Sequence, residues 1–160
     1  MPLDRVLEEL ALELAEPARL KGIALRIRPG RVRVLSHSVL LSGMLRNLIR
    51  NAVEYTPPGG RVLVACRRRG GEVHIEVRDS GVGIAIEELA LVFGAFHRAD
   101  ASRPDGLGLG LYIVKRAADF LGHRVEVRSR VGRGSCFAIA ARAVADPDPR
   151  RFGFVCEAAP

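Results

Sequence analysis

The sequence predicts an α+β fold, a two-layer sandwich in which about three helices cover one face of a mixed sheet of about five strands. Three observations predict it. Amphipathic segments of helical period are interspersed with alternating segments of strand period, without a regular strand–helix repeat. Two of the strand-like segments are joined by a glycine turn of hairpin type. The third is size: 160 residues with 48% hydrophobic content and no internal repeat suffice for one sizeable core. One domain is therefore expected over residues 1–144, followed by a loose tail over 145–160 that contains ADPDPRR and ends in AAP.

Leu3, Leu7, Leu10, Leu14 and Ala18 recur at helical spacing with Glu8, Glu9, Glu13 and Glu16 between them, so the first helix is expected from Leu3 to Arg19. Lys21 and Gly22 close it. Ile23 to Arg28 alternates as a strand, and Pro29-Gly30 is expected to turn the chain back towards Arg31 to Leu35. Ser36 and Ser38 can cap a second helix, Val39 to Tyr55, with Leu41, Leu45, Leu48, Ile49 and Ala52 as its apolar face. Pro57, Pro58, Gly59 and Gly60 stop it. Arg61 to Arg68 and Glu72 to Asp79 form the hairpin, turned through Gly70-Gly71. A polar, glycine-rich tract from Ser80 to Leu109 contains a short helical piece around Glu87 to Phe93. A third helix, Leu111 to Leu121, precedes two last strands, Arg124 to Arg130 and Ser135 to Arg142, which are separated by Gly132 and Gly134.

Aromatic residues are 5% of the chain and tryptophan is absent, so Leu, Val, Ile and Ala must build the core. No stretch approaches about 18 uncharged apolar residues, and the N-terminus is acidic where a secretory segment is apolar, which reads as a cytoplasmic chain without membrane contact. Cys66, Cys136 and Cys156 are odd in number and widely spaced, which points to reduced thiols and away from zinc or a disulfide framework. The net charge of +7 raises the question of a polyanionic partner, but the excess reads as scattered along the chain. Its densest run, Arg67 to Arg69 at the hairpin tip, reads as a solvated turn, and no nucleic-acid partner is expected.

Three segments carry chemistry. Asn47 and Asn51 lie four apart and project from one side of the second helix. An amide oxygen is a hard ligand suited to Mg²⁺, though two such asparagines are also ordinary on a helix surface. Asp79-Ser80-Gly81-Val82-Gly83 follows an apolar strand directly. A carboxylate there can accept from an exocyclic amine such as that of adenine, while the glycines admit a flat ring; a plain turn has the same letters. Gly106-Leu107-Gly108-Leu109-Gly110-Leu111 stands ahead of a helix, where free backbone N–H groups and the helix N-terminus favour a triphosphate. No strand precedes this glycine run, so the dinucleotide-binding reading fails.

In order, NLIRNAVEYT, DSGVGI, FGAFHRAD, GLGLGLYIVK and GRGSCFAI resemble the N, G1, F, G2 and G3 boxes of the catalytic ATP-binding domain of sensor histidine kinases. The resemblance covers residues 3–142. It implies a Bergerat-type ATP fold and a protein-histidine kinase that uses ATP and Mg²⁺. By the same resemblance Asn51 is the Mg²⁺ ligand, Asn47 touches phosphate or the metal shell, Tyr55 lies on adenine and Asp79 accepts from its amino group. Gly81, Gly83 and Ile84 shape the base site. Phe93 and Phe96 anchor a mobile lid from which Arg98 or Arg103 reaches phosphate. Gly106, Leu107, Gly108, Leu109, Gly110 and Leu111 wrap the phosphates, and Gly132, Gly134 and Ser135 complete the floor.

Three departures from the family pattern stand out: Glu54 where a basic residue is usual, Ser36-His37-Ser38 where an acid is usual, and His123 where glycine is usual. None of His37, His74, His97 or His123 is followed by an acid in a long helical segment, so the chain is not expected to phosphorylate itself. The implied partners are a dimerisation and histidine-phosphotransfer domain and, through it, a response regulator, with this domain a monomer in isolation. A serine kinase resembling anti-sigma factor kinases, or a module that only senses ATP, is the alternative.

Overall fold

The computed structural model describes residues 1–28, 30–96 and 108–145. In chain order the elements are α1 (Asp4–Leu20), β1 (Ala24–Arg28), β2 (Arg33–Val34), α2 (Ser38–Tyr55), β3 (Arg61–Arg69), β4 (Glu72–Asp79), α3 (Ile86–Leu89), α4 (Gly110–Leu121), β5 (Arg124–Arg130) and β6 (Gly134–Val144). The mixed six-stranded sheet runs β1-β3-β4-β6-β2, with β5 also paired to β6. The expected two-layer α+β architecture is present, with one more strand than anticipated.

Two local expectations are corrected. Pro29 lies outside the described residues, and the strands on either side of it do not pair with each other: β1 runs parallel to β3, with Ala24 opposite Arg61, while β2 pairs antiparallel with the far end of β6. A two-residue strand has too few hydrogen bonds to choose its own neighbour, and the residues ahead of α1 flank it, with Leu3 N–H donating to the Val32 carbonyl and Val34 N–H to the Met1 carbonyl, each at 3.0 Å. The second correction concerns the start of α2. Its N-cap is His37, and no side chain caps it.

The sheet's periodicity of two separates its faces. Val62, Val64, Val73, Ile75, Val77, Phe137 and Ile139 point into the core, where Leu7, Leu10, Leu41, Leu45, Leu48 and Ile49 from α1 and α2 meet them. Burial at this scale follows from residue type: each such side chain contributes about 1.5–3 kcal/mol when taken from water. Asp79 shares the parity of Val73 and Val77, so β4 delivers its last carboxylate to the helical side.

The other face is charged. Register places Arg26 and Arg28 of β1 beside Leu63 and Ala65 of β3, with Arg61, Arg67 and Arg69 of β3 on the same side. Arg78 of β4, Arg142 of β6, Arg124, Arg128 and Arg130 of β5, and Arg33 of β2 opposite Val144 complete it. Glu72, Glu76 and Glu126 are the acids of this face. The charge that reads as scattered in sequence is therefore collected on one surface by strand alternation, which is a further correction.

Candidate functional site

Four segments converge on the helical side of the sheet. The first is α2, whose C-terminal carbonyls of Val53 and Glu54 accept hydrogen bonds from Lys21 Nζ, at 2.7 Å for Val53. Lys21 is thus more than a helix terminator. Sequence reasoning missed this role because its partners lie 32 and 33 residues away. Thr56 adds a second clamp through Oγ1 to the Ala52 carbonyl at 2.6 Å and is fully buried.

The second segment follows Asp79. Its Oδ1 accepts from the backbone N–H of Gly81 at 2.8 Å and of Ser135 at 3.1 Å. Among the described residues Oδ2 receives no hydrogen bond. Burial raises the Asp79 pKa above its ordinary 3.8, and the two backbone N–H groups offset part of that rise. One oxygen is thereby held by two backbone groups.

The glycines nearby are required by close approach. A Cβ on Gly81 would lie 2.4 Å from the Tyr55 carbonyl, and one on Gly83, at φ +74°, would lie 2.1 Å from the Arg130 carbonyl. Val82 N–H donates to the Tyr55 carbonyl at 3.3 Å, so the turn is stitched to the end of α2. Ile84 N–H donates to Ser129 Oγ at 2.8 Å, and Ser129 Oγ is 2.9 Å from Ser135 Oγ. Ser129 was missed in the sequence because a lone serine in an alternating strand carries no signal.

The third segment is the β5–β6 turn. Gly134 has φ +97°, and a Cβ there would stand 2.0 Å from the Asp79 carbonyl. Gly134→Ala is therefore expected to cost about 2–4 kcal/mol of stability, since both the conformation and the space forbid a side chain. Denaturant unfolding measures it, and a midpoint equal to wild type would refute the close approach.

The fourth is α4, which begins at Gly110 after Gly108 at φ +67°. A Cβ on Gly110 would lie 3.8 Å from both amide atoms of Asn51 and 3.9 Å from Asn47 Oδ1. The helix N-terminus, whose first N–H groups have no acceptor within the helix, thus opens beside both asparagines. Among the described residues neither amide has a hydrogen-bond partner, although both are half-buried. Phe93 packs edge-on against Phe137 with centroids 6.3 Å apart, and Leu111 and Ile84 pack on the core. Phe96 is 70% exposed. Arg98, Arg103, Gly106 and Leu107 lie outside the described residues.

Two of the three departures meet. His123 Nε2 is 2.8 Å from Ser36 Oγ across 87 residues of sequence, joining the end of α4 to the entry of α2. Burial lowers the His123 pKa from 6.5, so the folded state holds a neutral ring. The unfolded chain takes up the proton first as pH falls. This contribution to stability is complete above about pH 6.5 and is lost below it. Thermal melts between pH 7.5 and 5 should show a shallower acid decline for His123→Gln; identical slopes would exclude the effect.

No helix among the described residues is long and apolar enough to cross a membrane, and no His, Cys, Asp and Glu cluster there has metal-site geometry. Residues 36–144 match the family of histidine kinase-, DNA gyrase B-, and HSP90-like ATPases. The chain is 43% identical over 115 residues to the sensor-like histidine kinase SenX3 of Mycobacterium tuberculosis, covering 70% of this chain and 28% of that protein. It is 32% identical over 142 residues to the sensor protein SrrB of Staphylococcus aureus, covering 86% and 24%. The chain thus spans about a quarter of the length of these curated relatives. Among solved structures, mycobacterial sensor histidine kinase MprB aligns with TM-score 0.76 at 27% identity, covering 89% of this chain and 95% of that one. Full-length ShkA in complex with AMPPNP aligns with TM-score 0.78 at 32% identity, covering 92% and 32%.

Proposed function

Since the chain belongs to the histidine kinase-, DNA gyrase B-, and HSP90-like ATPase family, as a histidine kinase catalytic domain, we propose that it binds Mg-ATP and donates the γ-phosphate to a histidine on a separate dimerisation and phosphoacceptor domain. The observation that carries this reading is the placement of the α4 N-terminus beside the amides of Asn47 and Asn51, at 3.8–3.9 Å from a Cβ on Gly110. A positive helix end and two neutral oxygens form a place for phosphate and a hard cation together.

In this reading the residues divide the work. Asp79 Oδ2 accepts from the adenine amine, while its Oδ1 stays bound to Gly81 and Ser135. Asn51 holds Mg²⁺, which supplies neutralisation of the phosphate charge. Asn47 stands at the rim of the same space and touches phosphate or the metal shell. Gly108, Leu109 and Gly110 offer backbone N–H groups, and Tyr55 lines the base side. Transfer asks for position and charge neutralisation more than for covalent chemistry.

Asn47 also bears on which reaction follows. An amide takes no proton at neutral pH, so water near it is not activated and hydrolysis is slow. The phosphate therefore waits for an imidazole. None of the described histidines suits that part: His37 occupies the N-cap position of α2, His74 sits within β4 and His123 is buried against Ser36.

The test mixes the chain with isolated histidine-bearing helical hairpin domains and γ-labelled ATP. Acid-labile label on the hairpin and none on the chain alone is expected. Acid-stable phosphoserine would move the assignment to a serine kinase. Binding of nucleotide without any transfer would leave an ATP-sensing module.

A further inference from the structure

The nucleotide site occupies the helical side of the sheet and leaves the opposite face without a role. By register that face holds eleven arginines, Arg33 of β2 included, against three glutamates, so the chain's excess positive charge is concentrated there. The arrangement is ordered by Glu76, which is 1% exposed although it lies on the outer face. Arg78 hydrogen-bonds it, and Arg67 and Arg128 approach it at 3.7 Å each. Its neighbours across the strands are Ala65 and Ala138, and Ala138 is 3% exposed, so the guanidinium side chains lie across a floor of small residues.

We infer that the outer face of the sheet is a docking surface for an acidic helix of a partner protein. Arginine presents a planar fork that matches carboxylate bidentately. Same-face residues recur about every 6.6 Å along a strand and about 4.8 Å between strands. The Cβ atoms of acidic residues at i and i+4 of a helix are about 5–6 Å apart, close to that lattice. Other polyanions fit less well. Described residues of this face include no Trp, Tyr or Phe on which bases stack, and no large apolar wedge for a bilayer. Glu72 and Glu126, with side chains 37% and 49% exposed, would repel a continuous layer of phosphates, whereas a protein can place other groups opposite them.

The experiment titrates the folded chain with a fluorescent glutamate-rich helical peptide, with phosphatidylserine vesicles and with duplex DNA, at low and moderate salt. Arg124→Glu/Arg128→Glu removes two exposed cations on β5. Arg69→Gln/Arg142→Gln is the milder second variant, and Arg5→Glu/Arg116→Glu reverses equal charge on the helical layer. Thermal melting checks that each is folded. Peptide binding is expected to weaken about tenfold in the β5 variant, less in the milder one, and to stay unchanged in the helical-layer variant. The proposal is overturned if wild type ignores the peptide, if both charge reversals weaken it equally, or if vesicles or DNA bind more tightly than peptide. None of these readouts involves ATP, so a failure of the nucleotide reading leaves this test standing.

Discussion

Asp79→Asn is expected to weaken ATP binding by about a hundredfold while the fold stays as stable as wild type or becomes more stable. The asparagine oxygen can keep the bonds from Gly81 and Ser135, because Oδ1 is the atom they share. The amide nitrogen then stands where Oδ2 was. It meets the adenine amine donor to donor, which leaves two polar groups unpaired in a half-buried site. Stability moves the other way. Burial raises the Asp79 pKa, so the folded state favours the protonated acid, and that contribution is present below 3.8 and lost as pH rises through the raised value. At neutral pH the ionised side chain is a cost that asparagine removes.

Two controls come with this variant. A guanine nucleotide carries a carbonyl where adenine carries its amine, so the ratio of ATP to GTP affinity should collapse in Asp79→Asn. Wild-type ATP binding should also weaken on acidification as the carboxyl protonates, and the variant should lack that limb. Calorimetry at several pH values reads both, and an affinity for ATP within threefold of wild type would refute the role given to Oδ2.

The second large effect is Asn51→Ala. Phosphoryl transfer to an added hairpin domain should fall by about a thousandfold, the scale on which groups that neutralise transferring phosphate act. Stability should change little, because the Asn51 side chain has no partner among the described residues and alanine is the best helix former. Magnesium dependence distinguishes this from misfolding. Wild-type affinity should rise steeply with Mg²⁺ and the variant's should not. A variant that keeps both its magnesium response and its transfer rate would show that the metal is held elsewhere.

The helices, the hairpin and the approximate strand bounds were legible because each is a local pattern. Leu41, Leu45, Leu48 and Ala52 mark one face of α2 by spacing alone, and Gly70 turns the hairpin at φ +57° as a two-glycine tip demands. The glycines at 81, 83 and 134 were visible as letters, but their reason was not. Each is excluded from bearing a side chain by a carbonyl of another segment: that of Tyr55, Arg130 or Asp79. The partner of β1 was illegible for the same cause, since β1 lies against β3, on the far side of α2 in the chain, and not against its sequence neighbour β2.

By itself the sequence determined the class of fold, the apolar faces, and the order of the asparagine, aspartate and glycine segments, because period and composition are properties of neighbours along a chain. Tertiary structure alone decided which strands adjoin, that Lys21 clamps α2, that Ser36 meets His123, and that the arginines share one surface. Those facts depend on register between distant segments. A shift of one residue in pairing would exchange the two faces of a strand, sending Asp79 to the arginines and the arginines into the core.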